Sequence, residues 1–579
     1  MRRARHHARV AAAALAGLLA PAAASAAAWE DATAATIGAT AEWSNKVELA
    51  DIDGDGRVDI LFANGAGYST PEAPEPNRAF LNQGPGAPFL DASAAVFGME
   101  PDYTRAIKAR DLDGDGHVDL LVANTFETQS RLFLGDGVGG FVEATDNLPQ
   151  GPASFGDAEL GDVDGDGDLD VVLADWGPGA ANNNGGGRTR LWLGDGLGGF
   201  EDATATNMPD VLVGWSWELE LADVDNDLDL DVLVSCKSCG GSYLFENDGA
   251  GVFTDVSDRL PQFGNNYEFE AIDLDGDGAL DLVTINDGPQ GREHVFRGDG
   301  QGGFVDATAE LWPDAANLAG DDNMVAFLDV ESDGDPDFVI AGLFGSPDRL
   351  LVNDGAGKLG LVDDAFAPAN SSGTLGIAVA DLDGDTRSDV VMAEGESPQD
   401  ADRVFLGVDV PPDTAAPKIS LVTLAGGQVR ARIHDDKTPV MPHDFMKVVL
   451  VEGGVETPLQ WYGEALWRGT LAGSGGQLCA VDAAGNEACV DVGDGGGTTD
   501  GDATTGEDTG APTTGATSDA PTTGGSAPGG TTGGGEAGGA EGGSDDAGGD
   551  ASGCGCRNGQ VGGLAWLAAL GLRRRRRRR

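Results

Sequence analysis

Basic residues are scarce in this chain: 35 Lys and Arg stand against 97 Asp and Glu in 579 residues, a formal net charge of -62. Such a field repels phosphate backbones and anionic headgroups, which excludes nucleic acid and anionic membrane surfaces as partners and leaves cations as the natural ones. Histidine is scarcer still. Of six, two (His6, His7) lie at the extreme N-terminus, and His117, His294, His434 and His443 form no HExxH, HxH or nucleophile-elbow pattern. The apolar run near the C-terminus, Val561 to Leu572, has twelve residues, too few for an independent membrane span of about twenty. Cysteine numbers six. Cys479 and Cys489 flank the turn DAAGN and face each other across a hairpin, so a bond is expected; Cys236 and Cys239 (CKSC) have no His partner or second pair, which favours a local disulfide over zinc.

What the chain has in abundance is one acidic pattern, repeated seven times. In DVDGDGDLD the carboxylates of Asp162, Asp164, Asp166 and Asp170 fall at loop positions 1, 3, 5 and 9, with the backbone carbonyl of Asp168 available at position 7. That is the oxygen cage of a calcium loop, with Gly167 permitting the sharp turn. The same spacing gives Asp51, Asp53, Asp55, Arg57 and Asp59; Asp111, Asp113, Asp115, His117 and Asp119; and Asp223, Asp225, Asp227, Asp229 and Asp231. It continues with Asp273, Asp275, Asp277, Ala279 and Asp281; Asp329, Glu331, Asp333, Asp335 and Asp337; and Asp381, Asp383, Asp385, Arg387 and Asp389. In each set the fourth residue offers its carbonyl. Solvated Asp-Gly turns are the alternative, but turn preference alone would not repeat four acidic positions seven times. Four carboxylates about 5 Å apart carry on the order of 20 kcal/mol of repulsion at an effective dielectric near 20, so these loops want an ion or a proton.

Loops one, two, three and five keep the full DxDGDGxxD pattern and are the strong calcium candidates. Loop four has Leu228 for the second Gly, loop six has Glu331 and Pro336, and loop seven has Thr386; all three keep their carboxylates, so the open question there is turn geometry.

The loops start 60, 51, 61, 50, 56 and 52 residues apart, one four-stranded unit with its turns. After each comes an apolar strand, a variable loop, a short aromatic strand, a Gly-rich DGxGGF turn and an FxDAT strand, as in RLWLGDGLGGFEDAT from Arg190. The chain therefore resembles the FG-GAP and VCBS calcium-loop repeats of integrin alpha heads and of ASPIC and UnbV-type secreted proteins. The resemblance implies an all-β fold: a seven-bladed β-propeller over residues 29–410. The seventh unit, RVFLG from Arg403, lacks its FxDAT strand, whereas WEDAT at Trp29 to Thr33 has no unit of its own. The first strand is thus predicted to complete the last blade and close the ring.

Two further readings concern side chains on that ring. The inner strands put charge on one side in blades one to five: Lys46, Glu48, Lys108, Asp157, Glu159, Glu218, Glu220, Glu268 and Glu270. They form either a polar axial pocket or a structural pairing network, the latter being commoner. By resemblance to integrin heads, the face opposite the calcium loops would bind partners, with Trp43, Tyr68, Tyr103, Trp176, Trp215, Trp217 and Tyr267 as candidate contacts. Each is equally readable as core between blades.

Residues 413–492 read as a second domain of about seven short strands, resembling the bacterial Ig-like β-sandwich modules that open DTTAP and end in a DxAGN hairpin; by analogy these act as stalks. At the N-terminus, arginines, an apolar run and Ala26-Ala27-Ala28 read as an export signal over residues 1–28. Residues 493–553, of Gly, Thr, Asp and Ala, read as a disordered tether. The tail 554–579, with Cys554, Cys556, an apolar run and seven arginines, resembles the MYXO-CTERM sorting signal, an unprocessed stop-transfer anchor being the alternative. Both readings place the folded part outside the cytoplasm.

The expectation is an exported, monomeric, cell-surface or released binding module with up to seven Ca2+, an extracellular glycan or protein ligand and no chemistry of its own. The rival classes are a carbohydrate-active enzyme on the same scaffold, with axial carboxylates as acid and base, and a structural surface spacer.

Overall fold

The computed structural model describes residues 27–183, 185–286, 291–343, 346–367, 373–395, 401–435 and 442–493. The segments read from the sequence as a tether and a sorting tail, and as an export signal up to residue 26, lie outside these. Among the described residues no helix is long and apolar enough to cross a membrane.

Seven antiparallel sheets follow one another along the chain, six of four strands and a last one of five. Each begins with an inner strand such as Ser44–Ala50 or Thr104–Arg110, turns through an acidic loop into a fully buried second strand such as Asp59–Asn64, and ends in the aromatic hairpin. Full burial of the second strand on both faces explains its continuous apolar run, whereas the inner strand alternates. Near the start of six inner strands the register shifts by a β-bulge, as between Ser44 and Lys46. A bulge increases local twist and re-aims the next side chain.

The FxDAT motif has a specific job in the units that carry it. The Asp caps the chain reversal and the Thr or Ser hydroxyl accepts a backbone N–H from the third strand: Asp202 accepts Thr204 N–H at 3.0 Å, and Thr204 Oγ1 accepts Leu191 N–H at 3.0 Å. Residues 29–33 do the same for the seventh sheet. Trp29–Asp31 pairs antiparallel with Arg403–Gly407, Asp31 accepts Thr33 N–H at 2.9 Å, and Thr33 Oγ1 accepts Val404 N–H at 3.0 Å. A parallel strand that the sequence does not announce, Phe366–Ala367, adds to the outside of Trp29–Asp31. Leu49, Ile60 and Phe62 of the first sheet share a core with Ala378, Val391 and Val404 of the seventh, so the sheets close into a ring.

The last two sheets form a sandwich of eight strands, one more than expected. Lys418–Ala425, Gln428–His434, Leu466–Thr470 and Gln460–Gly463 make one sheet; Val455–Pro458, Phe445–Glu452, Gly475–Asp482 and Glu487–Gly493 make the other. Val429, Ala431, Ile433, Leu450, Leu478 and Ala480 fill the space between. Cys479 and Cys489 lie opposite each other in adjacent strands and are bonded, as are Cys236 and Cys239. This domain is not held away from the ring as a stalk would be. It sits on the acidic loops: Tyr462 carbonyl accepts Asp162 N–H at 2.8 Å and Tyr462 hydroxyl donates to Leu228 carbonyl at 2.9 Å.

Candidate functional site

The acidic loops share one geometry. The carboxylate at position 1 accepts amides from its own loop, Asp51 taking Asp55 N–H at 3.1 Å and Gly56 N–H at 2.8 Å, and Asp381 taking Thr386 N–H at 2.8 Å. Positions 4 and 6 need positive φ: Gly54 and Gly56 stand at 72° and 83°. The three irregular loops reach the same turn without glycine at each place, with Asn226 at 65°, Leu228 at 68°, Ser332 at 55° and Thr386 at 66°. For a β-branched Thr or a Leu this conformation is strained, and the surrounding hydrogen bonds hold it.

Position 9 is the most constrained. All seven of Asp59, Asp119, Asp170, Asp231, Asp281, Asp337 and Asp389 are buried. Asp119 shows the pattern: Oδ2 accepts Leu112 N–H at 2.9 Å and Oδ1 accepts Gly135 N–H at 2.8 Å, so the carboxylate staples its loop to the third strand. A carboxylate has about four acceptor sites, so each oxygen keeps a lone pair for a metal. The test of fit to an ion comes at position 3. Asp53, Asp225, Asp275 and Asp383 each bury one oxygen, Oδ1, that has no hydrogen-bond partner. In the sets Asp51–Asp53–Asp59, Asp111–Asp113–Asp115, Asp162–Asp164–Asp170 and Asp223–Asp225–Asp227 one oxygen from each residue lies within 4.8 Å of the others. Buried carboxylate oxygens converging without donors suit a hard cation with oxygen ligands, as Ca2+ is.

The DGxGGF turn contributes something its sequence does not show. A Cβ built on Gly139 (φ 81°) of the second sheet would meet the Asp53 Cβ at 3.3 Å, and one on Gly198 the Asp113 Cβ at 3.3 Å. The hairpins of the second to sixth sheets therefore seat against the position 3 residue of the preceding sheet's loop, an approach that with its positive φ favours glycine.

Burial is the largest influence on the position 9 carboxyls, with neighbouring loop charges adding and the amide bonds opposing. Asp119 is pushed up to about 6, Asp59 to about 7 and Asp170 to about 8. Calcium takes the deprotonated form, so its binding must release protons, and affinity is expected to weaken as pH falls from about 8 to about 6. Titration calorimetry in buffers of different ionisation enthalpy checks this; a pH-independent affinity with no proton release would contradict it.

The charged residues of the inner strands meet at the ring axis as braces. Lys46 lies 2.9 Å from Asp157 and 2.7 Å from Glu218, joining the first, third and fourth sheets; Lys108 pairs with Glu159 and Arg110 with Glu48 at 3.1 Å. The carboxylates also accept amides of the next inner strand, Glu48 from Ala109 at 3.1 Å, Glu220 from Ala271 at 3.0 Å and Glu268 from Val325 at 2.5 Å. Burial raises Glu218 to about 7 against the pull of Lys46, and raises Glu220, Glu268 and Glu270 well above the usual carboxylate range. Glu464 of the second domain joins them, pushed to about 8 by burial and then by Glu159.

The aromatics expected on the opposite face are mostly buried. Trp43, Trp176, Trp215, Trp217 and Tyr267 are at most 7% exposed. Trp176 stacks on Trp217 with centroids 5.7 Å apart, Tyr68 and Tyr267 flank Trp217 at 5.0 and 5.3 Å, and the Lys237 ammonium lies 3.8 Å from the Tyr267 ring centre and 4.1 Å from that of Tyr68. The Cys236–Cys239 disulfide brackets Lys237. Residues from the first, third, fourth and fifth sheets thus plug the axis, with the Lys237 ammonium set against their ring faces and the Trp215 Nε1 buried without a hydrogen-bond partner. Tyr103 lies at the edge of this cluster, against Phe126 at 5.5 Å, which in turn meets Trp176 at 6.0 Å.

A cleft of about 510 Å³ opens on the other face, between acidic loops one to three and the second domain. Arg110, His117 and Asp168 form its floor, and His443, Gln460 and Trp461 its roof, with the Arg110 guanidinium 5.2 Å from the Trp461 ring centre. The sequence could not place this cleft, because its halves lie some 300 residues apart.

The FG-GAP-like repeat family matches residues 51–122, 111–173, 229–284, 273–340 and 329–392. No curated protein matches the chain. Among solved structures it is similar to an Agrocybe aegerita lectin that recognises non-reducing terminal N-acetylglucosamine (18% identity, 55% of this chain and 79% of that one, TM-score 0.37). It is also similar to BBS1N in complex with ARL6DN (10% identity, 67% and 99%, TM-score 0.40) and to the Vibrio cholerae biofilm matrix protein Bap1 (16% identity, 81% and 76%, TM-score 0.32). With five matched repeats and one recurring four-stranded unit, this chain carries an FG-GAP repeat propeller.

Proposed function

We propose that the chain is a calcium-stabilised, exported seven-bladed propeller that recognises an extracellular ligand without chemistry of its own, its Ig-like domain forming half of the binding cleft. The cleft carries the ligand-binding part of this reading. At about 510 Å³ it falls in the range of small-ligand sites, whereas a protein partner would need roughly 800 Å² of accessible surface. A partly exposed indole beside a guanidinium, two imidazoles and an amide suits a saccharide segment, which offers apolar ring faces and hydroxyls together. Calcium supports the site indirectly, since loops one to three form its floor.

The non-catalytic reading is supported by the engagement of the axial carboxylates with Lys46, Lys108 and neighbouring amides, which leaves them braces rather than an acid and base pair facing solvent. Export and surface attachment through the tail remain part of the proposal, supported by the two disulfides.

A glycan array probed with the purified chain in calcium tests the reading. Trp461→Ala is expected to cut binding of any captured glycan at least tenfold while leaving the calcium-loaded melt within a few degrees. Turnover of a glycan, abolished by Glu218→Gln or Glu268→Gln, would establish the enzyme instead; silence on glycan arrays and in protein pull-downs would favour the spacer.

A further inference from the structure

Loops three and four carry a fifth carboxylate that most others lack. Position 7 is Asp168 and Asp229 there and Asp335 in loop six, but His117 in loop two, Ala279 in loop five, and in loops one and seven an arginine. Those arginines turn back on their own loops, Arg57 to Asp55 and Arg387 to Asp385 at 3.2 Å. Loops three and four receive theirs from the second domain.

The donor is the outward face of a strand whose inward face is Val429, Ala431 and Ile433. Arg430 and Arg432 alternate with these, and Arg468 lies directly across from Arg430 in the neighbouring strand. All three reach the loops. Arg430 Nη2 is 2.7 Å from Asp229 Oδ1. Arg432, buried, donates from Nη2 to the Asp223 carbonyl at 2.7 Å, to Asp223 Oδ2 at 3.0 Å and to Asn226 Oδ1 at 2.9 Å. Arg468 pairs with Asp162 Oδ2.

The oxygen taken at position 1 is Oδ2 in both loops. In loop three Asp162 Oδ2 also accepts Gly167 N–H at 2.9 Å, as Asp51 Oδ2 accepts Gly56 N–H in loop one. Asp225 Oδ1 in loop four remains without a donor. The guanidinium groups therefore neutralise the rim of each loop and leave its centre free for a cation. Five carboxylates less one guanidinium leave loop three at a formal -4, the value of loop two; five less two leave loop four at -3, the value of loops one and seven with their own arginines and of loop five, where Arg297 lies 2.8 Å from Asp275.

We propose that Arg430, Arg432 and Arg468 are built-in counter-cations, positioning residues that hold loops three and four closed without a metal and bring their calcium affinity to that of the four-carboxylate loops. The inference rests on the calcium reading of the loops. It also bears on how the second domain sits on this face: its arginine stripe has its complement in the fifth carboxylates of loops three and four, and the docked domain is held by charge as much as by Tyr462.

The test is calcium titration of the purified chain by calorimetry at low ionic strength, with melts in calcium and in chelator, for wild type, Arg432→Gln/Arg468→Gln and Arg432→Lys/Arg468→Lys. Removing the charge should make two sites at least tenfold tighter and lower the metal-free melt more than the loaded one; the lysine pair should stay within about threefold of wild type. Equal losses in both melts with unchanged affinities, or lysines behaving like glutamines, would overturn the proposal and leave the calcium reading standing. Absence of calcium binding by wild type would overturn both. Should the double variant fail to fold, Arg430→Gln, at the more exposed pair, is expected to tighten one site; no change there counts against the idea.

Discussion

Chelation of calcium at pH 8 is expected to lower the melting temperature of the chain by about 15 °C. A site that binds only the folded form contributes about 2.7 kcal/mol when calcium exceeds its dissociation constant a hundredfold, and four such sites give about 10 kcal/mol. The crude repulsion of about 20 kcal/mol in each metal-free loop is never reached, because protons relieve it first. With Asp170, Asp231 and Asp389 pushed up to about 8 by burial, the emptied loops take up protons near neutrality. This sets opposite pH trends. In chelator these groups have a folded pKa above the unfolded value near 4, so the folded state binds more protons, and stability is greatest at low pH and is lost as pH rises from about 4 through about 8. In saturating calcium the same carboxyls are held deprotonated, and stability falls only as pH drops below about 5, where the unfolded carboxylates begin to take up protons. Differential scanning calorimetry at pH 6 and pH 8, with and without chelator, should show the gap between the two melts widening with pH. Coincident melts at pH 8 would show the loops to be ordinary turns and end the calcium reading.

The loops and the ring were legible because their signals are local and repeated. Spacing of Asp at positions 1, 3, 5 and 9 is a short-range constraint, and the orphaned FxDAT motif at Trp29 pointed to one unfinished sheet. Glycine-free turns at Leu228 and Thr386 were open questions in the sequence and adopt the loop geometry all the same, since the amide bonds to Asp223 and Asp381 outweigh a local φ preference.

What lay out of reach depends on distant pairs. Alternation in VRARI marks one face of a strand as outward but carries no information on what covers it, and arginine most often ends in water. Only the fold brings Arg432 to Asp223, 209 residues away. The Trp and Tyr residues of the second face stayed open between partner contact and core for a related reason: they stand beside or within the strand ends, where a ring can turn outward or fold over the axis. The axis of a seven-sheet ring has room that backbone cannot fill. Lys237 decides the matter, because a cation needs aromatic faces once it is desolvated, and Tyr68, Trp215, Trp217 and Tyr267 supply them.

Deleting residues 29–33 is expected to destabilise the whole ring rather than its last sheet, with loss of one cooperative melt and association of the folded remainder. Trp29 is fully buried, stacks on Phe366 with centroids 4.8 Å apart and donates from Nε1 to the Ser388 carbonyl at 2.8 Å. Truncating that one side chain in Trp29→Ala should cost about 3–5 kcal/mol. The strand deletion removes more: the ladder to Arg403–Gly407, the Thr33 hydroxyl under Val404, and the seat of Phe366–Ala367. An unpaired Arg403–Gly407 edge is a template for another chain, so the variant should elute partly as dimers or larger species. The seventh sheet in turn packs on the first through Val391, Ala378, Leu49 and Ile60, and Asn82 of the first sheet donates to the Leu382 carbonyl beside loop seven at 2.8 Å. Opening one seam therefore exposes two sheets and loosens loop seven with them. A calorimetric scan and size-exclusion chromatography in calcium decide the point: an unchanged melt would mean that the strand only decorates the ring, whereas a lowered single transition with new oligomers would mean that it closes it.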